Sequence, residues 1–431
     1  MFEKTTAKML DFIEKSPTCY HVISNLEEML DQDGFVKLEE AKEWKVKAGG
    51  KYYVTRNGSS IISFRIPKKD FKGFYMIASH SDSPSFKIKE SPELEAAGSY
   101  VRLNVEKYGG MLCAPWFDRP LSVAGRLMVR DGKSGIKMKL VKVDRDLLML
   151  PSLAIHMHRE ANDGQKYNAQ DDMLPLFGNI TSKGRFMSLV AEAAEVEEKD
   201  ILSTDLFLYN RVAPSVWGSE DEYISCARLD DQECVYTTFE GFLKAKDSKN
   251  IQMHCVFDNE EVGSGTKQGA ASTFLKDTLE RINDSLGRTR QQYHMALAQS
   301  FMISADNAHA VHPAHAGKAD PVNRPKMNEG IVIKYNANQK YTTDAVSGAM
   351  CKMVCEAAKV PYQTFTNRSD MAGGSTLGNI SNTQVALNTV DIGLAQLAMH
   401  SPYETAGARD PEYMAKFAYG FYNSDIDIAG V

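Results

Sequence analysis

The stretch that decides the fold reads "HCVFDNEEVGSGT", His254 to Thr266. Cys255, Val256 and Phe257 form an apolar run that ends abruptly in Asp258, Asn259 and two adjacent glutamates, Glu260 and Glu261, before a glycine turn. A short apolar run bounded by turn residues has the length and composition of a strand buried on both faces. Its polar end is then either a solvated loop tip or a site.

The same form recurs outward from this point. It is found in "FYMIASHSDSP" from Phe74, in "SFMISADNAH" from Ser300 and in "LAQLAMHSPYE" from Leu394. Helical patterns such as Ala345 to Lys359 lie between these runs. Strands alternating with helices predict an α/β domain with a largely parallel sheet. In such sheets ligands bind beyond the carboxyl ends of the strands, where the polar residues stand. At the start of the chain, Met9, Phe12 and Ile13, then Val22, Ile23 and Leu26, predict two amphipathic helices.

The middle of the chain differs. "SYVRLNVEKYGG" alternates Val101, Leu103 and Val105, and Leu121–Val129 and Ile136–Val143 are two β-patterned arms around "RDGKSG". Strands and glycine turns dominate from about 93 to about 222, and "DLFLYNRVAP" closes the region. The expected organisation is an α/β domain in two segments, 1–92 and 223–431, interrupted by a β-rich insert at 93–222.

With 431 residues, 43% apolar, 25% charged and a net charge of -6, the composition is that of an ordinary globular chain. It gives no electrostatic reason to expect nucleic acid or an anionic membrane as partner. No apolar run approaches the roughly 20 residues of a membrane span. The charged N-terminal stretch lacks the apolar core of a signal peptide, so a cytoplasmic location is expected. The seven cysteines, at 19, 113, 226, 234, 255, 351 and 355, include no closely spaced ligand pair and read as reduced thiols.

Five polar positions follow apolar or mixed stretches: His80, Asp230, Glu261, Asp306 and His400. Histidine mixed with carboxylate is the donor set of catalytic zinc, whereas structural zinc favours cysteine. Two histidines and three carboxylates suit two ions if one carboxylate bridges. Singly, each admits a plainer reading as a hydrogen-bonded loop residue or a helix cap.

"ASHSDSP", "RLDD", "DNEEVGSG", "ISADNAHAVHP" and "MHSPYE" occur in the order found in the aspartyl aminopeptidase family of two-zinc metallopeptidases, which the chain resembles along nearly its whole length. "WFDRPLSVAGR" and "LPSLAIHMHR" in the insert resemble that family as well. The resemblance implies a three-layer α/β catalytic domain with a central, largely parallel sheet, interrupted by an inserted β-rich dimerisation and assembly domain. It also implies that His80 and Asp306 hold one zinc, Glu261 and His400 the other, and that Asp230 bridges them. Glu260 becomes the general base of a metal-bridging hydroxide, and Asp82 the carboxylate that orients His80. Cobalt or manganese suits the same donors.

The reaction so implied is removal of N-terminal residues, preferably Asp or Glu, from short peptides by a homo-oligomer, a dodecamer. His156 is expected to reach a neighbouring subunit's active site; its plainer reading is a strand histidine sharing a face with His158. His309 and His312 either line the pocket or serve packing and hydrogen bonding, and Lys334 and Tyr341 either pair with an acidic substrate side chain or are an exposed strand lysine and a core aromatic. "DMAGGSTLG" at 370–378 offers backbone N–H groups to a carboxylate. Two departures from the family pattern stand out. Asp231 replaces an amide, so that it either perturbs metal affinity or faces solvent, and Tyr403 stands where many members have arginine.

Overall fold

The computed structural model describes residues 4–426. Ile251–Phe257 is a strand buried at every position, and so is Phe74–His80, its parallel neighbour. They stand in the middle of a nine-stranded sheet. On one side Ile251–Phe257 pairs with Ser60–Arg65, which leads through Lys51–Arg56 to Val36–Leu38 at the edge. On the other side of Phe74–His80 come Phe301–Ala305 and Asn388–Gly393, both parallel, then Ile331–Tyr335 and Tyr362–Thr366.

The alternation of side chains across each strand separates two cores. Met253, Cys255 and Phe257 pack with Phe274, Leu279 and Ile282 of the Phe274–Ser285 helix. Val256, Ile77 and Ile303 face the opposite side, against Phe239 of Leu229–Lys244, Val354 of Ala345–Ala358 and Phe417 of Asp410–Tyr422. Helices cover both faces, which gives the three layers expected. The two N-terminal helices, Lys4–Lys15 and Cys19–Gln32, bury the predicted apolar residues in this second core.

The strands between Ser85 and Asn210 form a separate six-stranded antiparallel sheet. Leu121–Asp131 and Gly135–Lys142 make the hairpin predicted around "RDGKSG". Leu103 and Val105 point into a core of its own, and Val101 is buried as well. Arg126 ties this sheet to the large one: its Nη1 donates to Asn57 O at 2.6 Å, its Nε donates to Asp205 Oδ2 at 2.8 Å, and its guanidinium lies 4.3 Å from the Tyr20 ring.

One expectation fails. "LAQLAMH" does not continue the parallel sheet; Ala395–Leu397 belongs to a third, five-stranded sheet. The large sheet takes "NTVDIG", Asn388–Gly393, instead. Asp391 breaks that segment's apolar run and conceals it. The carboxylate is buried and satisfied internally, accepting from Thr342 Oγ1 at 2.7 Å and Thr376 Oγ1 at 2.6 Å. Among the described residues no helix is long and apolar enough to cross a membrane.

Candidate metal centre

Phe257 stands directly opposite His80 in the sheet, and the Ser81 N–H donates to Phe257 O at 2.8 Å. Beyond Phe257 the chain reverses at Asn259, whose φ of 62° lies in the left-handed region that asparagine tolerates. The reversal aims two consecutive amides at one buried carboxylate. Asp82 Oδ1 accepts from Glu260 N–H at 3.1 Å, while Oδ2 accepts from Glu261 N–H at 3.2 Å and from the Tyr108 hydroxyl at 2.6 Å. Asn259 Nδ2 donates to that same hydroxyl at 2.9 Å. Asp82 thereby anchors the turn that carries both glutamates, and its Oδ1 also lies 3.4 Å from His80 Nδ1.

His80 is 1% exposed, with Nδ1 3.0 Å from the Asp82 carbonyl oxygen and Nε2 3.5 Å from Asp230 Oδ1. His400 Nε2 lies 3.4 Å from Asp230 Oδ2 and 3.3 Å from Glu261 Oε2. Asp306 follows directly on the Phe301–Ala305 strand. Ligand atoms of His80, Asp230, Asp231 and Asp306 lie within 4.8 Å of one another, as do those of Asp230, Glu261 and His400. A third such group joins His80, Glu260 and Glu261. Asp230 is common to the first two. It opens the Leu229–Lys244 helix with non-helical dihedrals (φ -81°, ψ 107°), so it is presented from a helix start and not from a strand end.

The electrostatics call for cations. Burial, foremost, pushes Glu261 and Asp306 up from ordinary carboxylate values, and the Asp230 charge adds to both shifts. Burial likewise pushes Glu260 up to about 8, with Asp306 and Asp82 adding to it and His80 opposing. Asp230 Oδ1 and Glu261 Oε1 are buried without a hydrogen-bond partner. Crowded, desolvated carboxylates with orphaned oxygens and two imidazoles fit zinc or a similar divalent ion.

These groups line a cavity of about 190 Å³ with Lys334, Tyr341, His309, Phe365, Met399 and the Gly374–Thr376 segment. Lys334 is 3% exposed; its Nζ donates to Asn307 O at 3.0 Å, lies 3.9 Å from Asp306 Oδ1 and sits 5.4 Å from the Tyr341 ring centroid. His312 is not among the lining residues; its Nδ1 accepts from Ala314 N–H at 3.1 Å and its ring packs on His315. His156 is also apart, exposed in a turn and in no strand, so the alternative of a strand face shared with His158 falls. Asp231 is fully buried and does not face solvent. The Tyr403 hydroxyl turns away to Ser215 Oγ at 2.8 Å and donates to Ala213 O at 3.1 Å.

Sequence reasoning missed Glu404. It is 1% exposed, and it accepts Asp230 N–H on Oε2 at 3.0 Å and His400 N–H on Oε1 at 2.8 Å. Asn307 was missed too; its Nδ2 lies within 3.1 Å of Leu229 O, Glu233 Oε2 and Gln396 Oε1. The spacing of Glu404, four residues after His400, was the available signal for the first.

Residues 12–422 match the family described as Aminopeptidase I zinc metalloprotease (M18). The chain belongs to the M18 family of zinc aminopeptidases. A probable M18 family aminopeptidase 2 of Clostridium acetobutylicum is 46% identical over 424 residues, covering 96% of this chain and 98% of the relative. One of the same description from Ectopseudomonas mendocina is 39% identical over 433 residues, covering 98% and 99%. Among solved structures, this M18 aminopeptidase superposes on a chain of the Ape4 and Nbr1 complex with a TM-score of 0.94 at 35% identity, covering 97% of this chain and 85% of that one. The S. cerevisiae mApe1 dodecamer gives a TM-score of 0.85 at 28% identity, with 97% and 96% covered.

Proposed function

We propose that this M18 aminopeptidase is a two-zinc enzyme that removes N-terminal aspartate or glutamate from short peptides. His80 and Asp306 would hold one ion, Glu261 and His400 the other, with Asp230 between them. The observation that carries this reading is the convergence on Asp230 of both histidines and the other two carboxylates, with Glu260 alongside. When bound, the ions acidify a water and polarise the scissile carbonyl.

The chain's own residues do the rest. Glu260 takes the water's proton on its carboxylate and returns it to the leaving amine. Asp82 holds Glu260 and Glu261 in place through their backbone amides, and Glu404 does the same for Asp230 and His400. At the cavity wall the buried Lys334 ammonium, with Tyr341 beside it, gives an acidic side chain a charge-assisted partner. His309 lines the same wall.

The exposed turn that carries His156 also exposes Leu153, Ile155 and Met157, at 58%, 48% and 75%. Apolar side chains in such number on one turn suit an interface. In the assembled enzyme His156 enters the site of a neighbouring copy, and the six-stranded sheet, largely within 93–222, is the assembly unit. That the structural neighbour mApe1 of S. cerevisiae is a dodecamer supports a homo-oligomer here. The seven unpaired cysteines favour the cytoplasm.

The test is turnover of aspartyl, glutamyl, leucyl and lysyl amides by metal-stripped enzyme reloaded with defined ions. Acidic substrates should lead, and N-acetylated peptides should be inert. Hydrolysis of the acetylated peptides would instead point to a deacylase or carboxypeptidase of similar build.

A further inference from the structure

Asp231 does more than follow the bridging residue. Its Oδ2 accepts the His80 backbone N–H at 3.1 Å, which an amide oxygen would do equally well. What the carboxylate adds is a charge and a second oxygen. Asp231 is 0% exposed, and Oδ1 has no hydrogen-bond partner. A carboxylate oxygen of Asp231 lies within 4.8 Å of ligand atoms on His80, Asp230 and Asp306.

The Cys234 thiol lies against the Asp231 carboxylate, but it donates to Asn307 Oδ1 at 3.2 Å, and a thiol is a weak donor. A buried carboxylate with one oxygen lacking a hydrogen-bond partner is costly, and a cation beside it removes the cost.

We propose that Asp231 is a metal-selecting residue, whose carboxylate supplies an additional oxygen donor to the ion at the His80–Asp306 position and turns that position toward manganese. The inference rests on the metal-centre reading above. Zinc is satisfied by four tetrahedral donors, whereas oxygen-rich sets of higher coordination number suit manganese. Asp231 therefore raises affinity for both ions and raises it more for manganese.

The experiment compares full-length wild type with Asp231→Asn after chelator stripping, using calorimetric titration with Mn²⁺ and Zn²⁺ separately and metal content after dialysis. The amide keeps the acceptor for His80 N–H. Mn²⁺ binding should weaken at least about tenfold and Zn²⁺ no more than about threefold. The apo-variant should melt no lower than apo-wild type, because it has lost a buried charge. Equal Mn²⁺ affinity in the two proteins, or equal weakening of both ions, would overturn the proposal. His80→Ala separates the two levels. If it loses one ion while Asp231→Asn behaves as wild type, only the selecting role falls; if it keeps both ions, the metal-centre reading itself fails.

Discussion

Replacing Asp82 with asparagine probes the turn that carries the two glutamates. The carboxylate is 3% exposed and accepts three hydrogen bonds, two from consecutive backbone amides and one from Tyr108. An asparagine has one acceptor oxygen. If that oxygen takes the Oδ2 place, the new NH₂ faces the Glu260 N–H, donor against donor. If it takes the Oδ1 place, the amide of Glu261 and the tyrosine both lose their acceptor.

The cheaper orientation forfeits one charge-assisted bond, about 1.5–3 kcal/mol. The loss falls on the segment that positions Glu260, so kcat should drop by roughly 10- to 150-fold at about 1.4 kcal/mol per decade. Metal content by mass spectrometry should stay at or above half of wild type, since every proposed ligand remains. Tyr108→Phe, which removes only the 2.6 Å bond, should cost less than about tenfold. A fully metallated Asp82→Asn enzyme with kcat within threefold of wild type would refute the claim that Asp82 sets the geometry of the turn.

Further outcomes follow from the assigned roles. Glu260→Gln should keep its metals and lose about 10²- to 10⁴-fold in kcat, whereas Glu261→Ala should lose metal, both read by activity alongside metal analysis. Lys334→Met should lower kcat/KM for aspartyl amides by about 30-fold while leaving leucyl amides within a few-fold, which steady-state kinetics on both substrates checks. His156→Phe should lose most activity with metals retained; an unaffected rate would leave it an ordinary exposed turn residue.

Asp205 offers a pH-dependent case. Burial pushes its carboxyl up, but Lys87 at 2.7 Å and Arg126 at 2.8 Å outweigh burial and hold it below its ordinary value. A depressed folded pKa gives stability that is present above the unfolded value, near 3.8, and is lost as pH falls through the folded one. Asp205→Asn should cost about 2 kcal/mol at neutral pH, and the deficit should shrink in chemical denaturation below about pH 3.5.

What was legible in the sequence was whatever one segment could carry alone. The largely apolar runs ending at His80, Phe257 and Ala305 announced buried parallel strands, because both faces of such strands are covered. The adjacent pair Glu260 and Glu261 announced a site by its position. Residues that act across distance left no such mark. Tyr108 reaches Asp82 only because the antiparallel sheet returns beside the turn, and Glu404 reaches Asp230 only through the third sheet. Asn388–Gly393 was hidden by Asp391, whose partners Thr342 and Thr376 come from other segments. Asp231 could be read either way until its burial was known.

The chain leaves the large sheet at His80 and makes the whole six-stranded sheet by Asn210. It then runs through two strands of the third sheet, Ser215–Trp217 and Tyr223–Cys226, to reach Asp230 at the start of the Leu229–Lys244 helix. The whole excursion is therefore bracketed by His80 and Asp230, whose side chains meet at 3.5 Å, so one contact at the centre spans the place where the chain departs and the place where it returns. A tilt of the six-stranded lobe would act on this contact as well as on Asn57 and the Tyr20 helix, which Arg126 touches.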